Sequence, residues 1–246
     1  MKRWLLLGLL AACLLTNAAS AQMLQGIVSD SSEGTNAVAN PTVVQDDNTF
    51  ISEGSCNSSC AVFSKTTAGG NLIYIGVGEF SPSSAGIWTI NCNGTPATGL
   101  VTSTASGGSA VGGSLYSCPA ASGALAITAS KGSSKGAVFQ FVEVHSASGT
   151  PSSDGFQFGV GSGSNVATGT LSSPTTSAND ILIAFGTRGG GPSGQTFTGG
   201  GAGSWTPICV TLGAYQNETT MSAFSVTLTM TGGSGDTAMT FVAVHP

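Results

Sequence analysis

"TTAGGNLIYIGVG", Thr66 to Gly78, and "TTSANDILIAFGT", Thr175 to Thr187, state the same phrase twice. Each ends in a short apolar run rich in Ile, Leu, Val and Phe. Gly, Ser, Asn and Pro clusters bound such runs, and the apolar stretch is too short for a helix. It reads as a strand. The same grammar recurs in "CAVFS", "ALAITA", "AVFQFVEVH", "FSVTLTM" and "MTFVAVH". These runs favour the residues that fit a pleated surface. No helical pattern follows the N-terminal leader. Short strands with regular turns predict an all-β chain, a two-layer antiparallel β-sandwich with a jelly-roll-like order.

Two further pairs accompany the opening one. "AGIWTINC" at Ala85 to Cys92 answers "AGSWTPIC" at Ala202 to Cys209, and "FVEVH" at Phe141 to His145 answers "FVAVH" at Phe241 to His245. Three matches in one order indicate an internal duplication. Two copies are too few for a solenoid, and a half with one apolar face cannot bury it alone. The expectation is therefore one domain over 59–246, with halves at about 60–145 and 170–246 each supplying part of one sandwich. Residues 22–58 are more polar and read as an N-terminal arm with first strands. "SASGTPSSDG", Ser146 to Gly155, reads as the connection between halves. The repeated Trp88 and Trp205 are expected in the core, since large aromatics dominate burial. The functional alternative is a Trp platform for sugar rings.

The first 21 residues have the form of a signal peptide. Lys2 and Arg3 precede an apolar run from Trp4 to Leu15, and "AASA" ends at Ala21 with small residues at the cleavage positions. The run is shorter than the roughly 20 residues of a membrane span, and nothing later predicts a transmembrane segment. "LAAC", Leu10 to Cys13, also resembles a lipobox, so lipidation at Cys13 is the alternative. Either route predicts a secreted or cell-surface protein.

The chain carries 6 Lys and Arg against 11 Asp and Glu, a net charge of −5, and loses Lys2 and Arg3 with the leader. Phosphate binding needs clustered Lys and Arg, so nucleic acid is excluded as a partner. Beyond the leader lie Cys56, Cys60, Cys92, Cys118 and Cys209. Export favours disulfides. Cys56 with Cys60 and Cys92 with Cys118 are the candidate pairs, leaving Cys209 over. A zinc site is disfavoured, because no C-x-x-C occurs and His is nearly absent.

The order of pieces, from "NLIYIGVG" through "VFQFVEVHSASGT" and "TGTLSSPTTSANDILIAFGT" to "TAMTFVAVHP", resembles a β-sandwich module of secreted bacterial surface proteins, often found beside Ig-like repeats. The resemblance covers about 61–246 and departs at "SSAGIWTI", Ser83 to Ile90. It implies a sandwich at or outside the cell surface and brings no catalytic residues.

Motifs for chemistry are sparse. "GSSKG", Gly132 to Gly136, fits G-x-S-x-G but lies between strands, not before a helix. "GGGPSG", Gly189 to Gly194, fits G-x-G-x-x-G with no helix to follow. "QDDN", Gln45 to Asn48, reads as a turn without the spacing of a calcium loop. Glu143, His145 and His245 are the one candidate metal set, with strand-end polar residues as the plain alternative. No cofactor is expected. The reading that follows is a non-catalytic extracellular protein for adhesion or glycan and ligand binding, with another surface protein as a second kind of partner. A self-assembling surface or matrix protein and a carbohydrate-active enzyme are the competing readings. Weakly charged strand edges with few Lys favour self-association.

Overall fold

The computed structural model describes residues 39–80, 88–104, 111–132, 136–189, 194–231 and 235–246. The signal peptide, Cys13, residues 22–38 and most of the two Gly-rich strings lie outside the described residues. All regular structure among the described residues is strand. The first repeat holds β1 (Thr42–Ile51), β2 (Cys60–Thr67), β3 (Leu72–Phe80), β4 (Thr89–Cys92), β5 (Thr95–Pro96), β6 (Thr98–Thr104), β7 (Val111–Pro119), β8 (Gly123–Ser130) and β9 (Ala137–His145). The second holds β10 (Ser152–Gly161), β11 (Val166–Thr170), β12 (Ile181–Arg188), β13 (Gly194–Gly199), β14 (Thr206–Ile208), β15 (Gly213–Asn217), β16 (Ser225–Thr231) and β17 (Thr237–His245).

In the first repeat β1 pairs with β9, β2 with β8, β3 with β7 and β4 with β5, all antiparallel. That is the pattern of one long hairpin rolled over two sheets, the jelly-roll arrangement. The sheets are ordered β1-β9-β3-β7-β6 and β2-β8-β4-β5. The second repeat restates it as β10-β17-β12-β15-β14 and β11-β16-β13. Registers coincide: His145 opposes Thr42 as His245 opposes Ser152, and Leu72 opposes Val144 as Ile181 opposes Val244. Even the irregularity in the first strand recurs, at Val43/Gln45 and at Ser153/Gly155.

The antiparallel sandwich expected from the sequence is present, but each repeat builds a whole one. Ile75, Phe139 and Phe141 of the first five-stranded sheet pack with Phe63, Trp88 and Ile127 of its partner sheet. Leu182, Met239 and Phe241 pack likewise with Phe197, Val226 and Leu228 in the second repeat. A third core holds Tyr74, Val142 and Val144 of the first repeat with Ile181, Ile183 and Val242 of the second. The large sheets therefore face each other, and the chain stacks four sheet layers around three cores. This explains the continuous apolar runs. β3, β9, β12 and β17 are buried on both faces and need no polar alternation, whereas β8 and β16 alternate because one face meets solvent.

Three expectations change accordingly. The repeats run from β1 to β9 and from β10 to β17: β1 is one of the first strands expected within 22–58 but belongs to the first repeat, and β10 begins at Ser152, inside the segment read as the connection. The half-exposed start of β10 made that strand look like part of a loop. "QDDN" lies within β1 and is not a turn. The two Trp phrases are not equivalent. Trp88 leads into β4, which joins the small sheet through β8, while Trp205 leads into β14, which joins the large sheet through β15. Trp88 is 2% exposed in the first core, edge-on to Phe139 with centroids 5.1 Å apart. Trp205 is only half-buried, tilted over Phe197 at 5.6 Å, with its Nε1 donating to the Gly199 carbonyl. It covers the edge of the second core and does not close a shared one.

Disulfides join Cys56 to Cys60 and Cys92 to Cys118. The second ties β4 to β7, and so one layer of the first sandwich to the other. Cys209 is a free, buried thiol.

Candidate functional site

The facing sheets are not packed evenly. On the β3 face, Tyr74 is followed by Gly76 and Gly78. A Cβ at Gly76 would lie 2.5 Å from Phe185 Cγ, and one at Gly78 would lie 2.4 Å from Thr187 Cβ. Glycine at these two positions lets β12 press its side chains onto β3. Toward the same end the interface turns polar, with Asn48, Gln140, Thr187 and Thr240 replacing the Val and Ile of the third core. There the two repeats part to leave a cleft of about 340 Å³. Asn48 and Phe50 of β1, Phe80 of β3 and Val138 of β9 line one side. Gly186 and Thr187 of β12 and Leu212 line the other. Phe50 is 64% exposed, and its ring lies 5.9 Å from that of Phe80. The volume is at the low end for small-molecule sites.

One wall is strained. Cys209, Val210 and Thr211, in the turn from β14 to β15, all have positive φ (52°, 51° and 71°). Non-glycine residues enter this region at a cost of roughly 1–2 kcal/mol each. The first repeat holds the turn: Asp46 accepts from the Cys209 amide, and Asn48 Nδ2 donates to the Cys209 carbonyl at 2.9 Å. Leu212, the next residue, then faces the cleft. Strain sustained by specific partners beside a cavity is characteristic of ligand sites. Burial pushes the pKa of the neighbouring Cys209 thiol well up, and the Asp46 charge adds to the shift, so the group is held neutral.

Next to the cleft lies a smaller space of about 10 Å³. Gly186 and Thr187 line both spaces, and Gln140 and Thr240 line the smaller one. Gln140 Nε2 donates to the Gly186 carbonyl at 3.2 Å. Gln140 Oε1 and Thr187 Oγ1 are buried without a hydrogen-bond partner.

The residues singled out from the sequence lie elsewhere. Glu143 is buried and accepts from Gln45 Nε2, from Asn71 Nδ2 at 2.6 Å and from the Ala68 amide at 3.2 Å. Asn71 Oδ1 meets His145 Nδ1 at 2.8 Å. His245 belongs to the other repeat, its Nδ1 3.7 Å from Asp180 Oδ1. These three are not gathered into one centre, and no group of three His, Cys, Asp or Glu among the described residues is placed to hold a metal. Burial, with the nearby Asp154 charge second, raises the Asp180 pKa to about 7.

Sequence reasoning missed Phe50, Phe80, Gln140, Thr187 and Leu212, and took Asn48 only as the end of a turn. Two faint signals existed: Phe50 near the end of a polar stretch, and Gln140 interrupting the apolar run "AVFQFVEVH". Compared with known proteins, the chain matches no family model, no curated protein and no solved structure.

Proposed function

We propose that this is an exported, non-catalytic binding protein of the cell surface or extracellular space, with the cleft between its repeats as the ligand seat. The cleft carries the reading: it joins two exposed or half-exposed aromatic rings, an apolar wall and a turn held in a strained shape by the opposite repeat. The resemblance to secreted bacterial surface modules and the leader at residues 1–21 support export. The lining favours a ligand with an apolar body over a glycan, because Asn48 and Thr187 are its only polar side chains among the described residues. A sugar would call for many more hydrogen-bond partners. A non-catalytic role is supported by the engagement of Glu143 and His145 in a closed hydrogen-bond network.

Titration with the uncharged dye Nile red tests the reading. Its fluorescence should rise on binding, with a matching loss of signal in Phe50→Ala. No enhancement, or an undiminished one in the variant, would refute the cleft as a seat.

Self-assembly remains a second reading because β10 presents Phe156, Phe158 and Val160 at the edge of its sheet, each more than a third exposed. Concentration-dependent association that Phe158→Lys abolishes would favour it.

A further inference from the structure

We infer that the cleft selects an uncharged apolar molecule carrying one hydroxyl at its buried end; this rests on the cleft being a ligand seat. Gln140 is 1% exposed and Thr187 is 4% exposed, yet Gln140 Oε1 and Thr187 Oγ1 have no partner. Buried polar atoms in folded proteins are nearly always satisfied. Gln140 Oε1 can only accept, and one N–H of the same amide donates to the Gly186 carbonyl. The Thr187 hydroxyl can donate. A ligand hydroxyl matches this pair: its proton goes to Gln140 Oε1, and its oxygen receives the proton of Thr187. The smaller space, about 10 Å³, has room for a group of roughly the size of one water. A carboxylate does not match. It would place negative charge against Gln140 Oε1, and no lining residue among those described carries a positive charge. An apolar end without a hydroxyl would leave both atoms unsatisfied. Phe50, Phe80, Val138 and Leu212 would hold the body.

Three probes with one ring separate these cases: p-cresol, toluene and p-toluate, each titrated calorimetrically into the purified protein. p-Cresol is expected to bind about tenfold more tightly than toluene, the factor one buried hydrogen bond supplies, and p-toluate more weakly than either. Thr187→Val keeps the side-chain shape and removes a hydroxyl that has no partner, so it should fold. In it the preference for p-cresol over toluene should shrink to less than about threefold. Gln140→Met, which keeps length and loses the acceptor, should do the same. Equal binding of p-cresol and toluene to the wild type would overturn the hydroxyl inference and leave the cleft reading standing. So would a preference that persists in both variants, or tightest binding of p-toluate. Failure of all three to bind, together with no Nile red signal, would sink the cleft reading itself.

Discussion

Asn71 and Asp180 occupy the same position in the two repeats, each immediately before the strand residue that opposes Val144 or Val244. Asn71 bridges Glu143 and His145. Asp180 has Ala243 where the first repeat has Glu143, and its carboxyl is buried beside Thr175, Asp154 and His245. The carboxylate has in effect moved from one strand to its neighbour, out of the network that holds Glu143.

The first prediction follows from that exchange. With its pKa raised from 3.8 to about 7, chiefly by burial, Asp180 stays protonated in the folded chain over a range where the unfolded chain has lost the proton. The unfolded state then binds fewer protons, so stability falls as pH rises from about 4 to about 7 and levels off above, by at most about 1.4 kcal/mol per pH unit. Asp180→Asn should remove that slope and stabilise the protein at pH 7, since it installs the residue of the first repeat. Urea unfolding of both proteins at pH 4.5, 6 and 7.5 checks this, and parallel pH profiles would contradict it.

The second prediction separates the two tryptophans. Trp88 is enclosed between sheets, with Lys131 Nζ 5.8 Å from its ring centre. Trp88→Ala should cost about 3–5 kcal/mol, as for a core aromatic. Trp205→Ala, at the half-buried edge, should cost about 1–2 kcal/mol, within the range of ordinary substitutions. Equal losses in denaturant midpoints would mean that the two residues are packed alike after all.

Why the sequence misled on these residues is a matter of what a local match can encode. The β3/β12 and β9/β17 phrases match because each strand must be apolar on both faces, a demand that the double burial imposes on nearly every position. Four layers were hidden because continuous apolar runs fit any fully buried strand, whether it sits between two sheets or three. β10 was hidden for the opposite reason: as an edge strand it tolerates Ser152 to Asp154, and Asp46, Asp47 and Asn48 likewise blurred the bounds of β1, expected only as one of the first strands within 22–58. The Trp phrases match in letters only, because pairing partner, not composition, assigns a short strand to a sheet. The cleft was invisible because its residues come from β1, β3, β9, β12 and a turn, and no local spacing links them.

The third prediction concerns the disulfides. Cys92–Cys118 closes a loop with a sequence separation of 26 and Cys56–Cys60 one of 4. In the chain-entropy model the longer loop contributes more, about 3.5 kcal/mol against about 2. Replacing Cys92 and Cys118 by Ala should therefore lower the melting temperature further than replacing Cys56 and Cys60. The reverse order in calorimetry would show that native packing near Cys56, which is fully buried, outweighs loop closure.

The fourth prediction tests the face-to-face packing of the repeats. Gly76→Ala adds a Cβ that would meet Phe185 Cγ at 2.5 Å, far inside contact distance. Its backbone is ordinary, so the penalty is steric overpacking, about 1–3 kcal/mol. Gly76→Ala with Phe185→Ala should recover part of that loss if the two residues meet. Strictly additive losses in the double-mutant cycle would place the repeats apart.

The last prediction uses the strained turn. Val210 is β-branched, 77% exposed and held at a φ of 51° between two other residues in the left-handed region. Its side chain contributes little burial, so Val210→Gly loses almost no packing. Glycine removes roughly 1–2 kcal/mol of left-handed strain and gives back about 0.5–1 kcal/mol in chain entropy. The net expectation is a stabilisation of about 0.5–1 kcal/mol in urea unfolding. The same change should loosen the wall that carries Leu212 into the cleft, because Asp46 and Asn48 would then hold a softer turn. Nile red should bind the variant more weakly although the variant is more stable. A variant that gains stability and keeps full dye binding would show that the strain does not shape the cleft, and one that loses stability would show that Val210 packs in a way its exposure conceals.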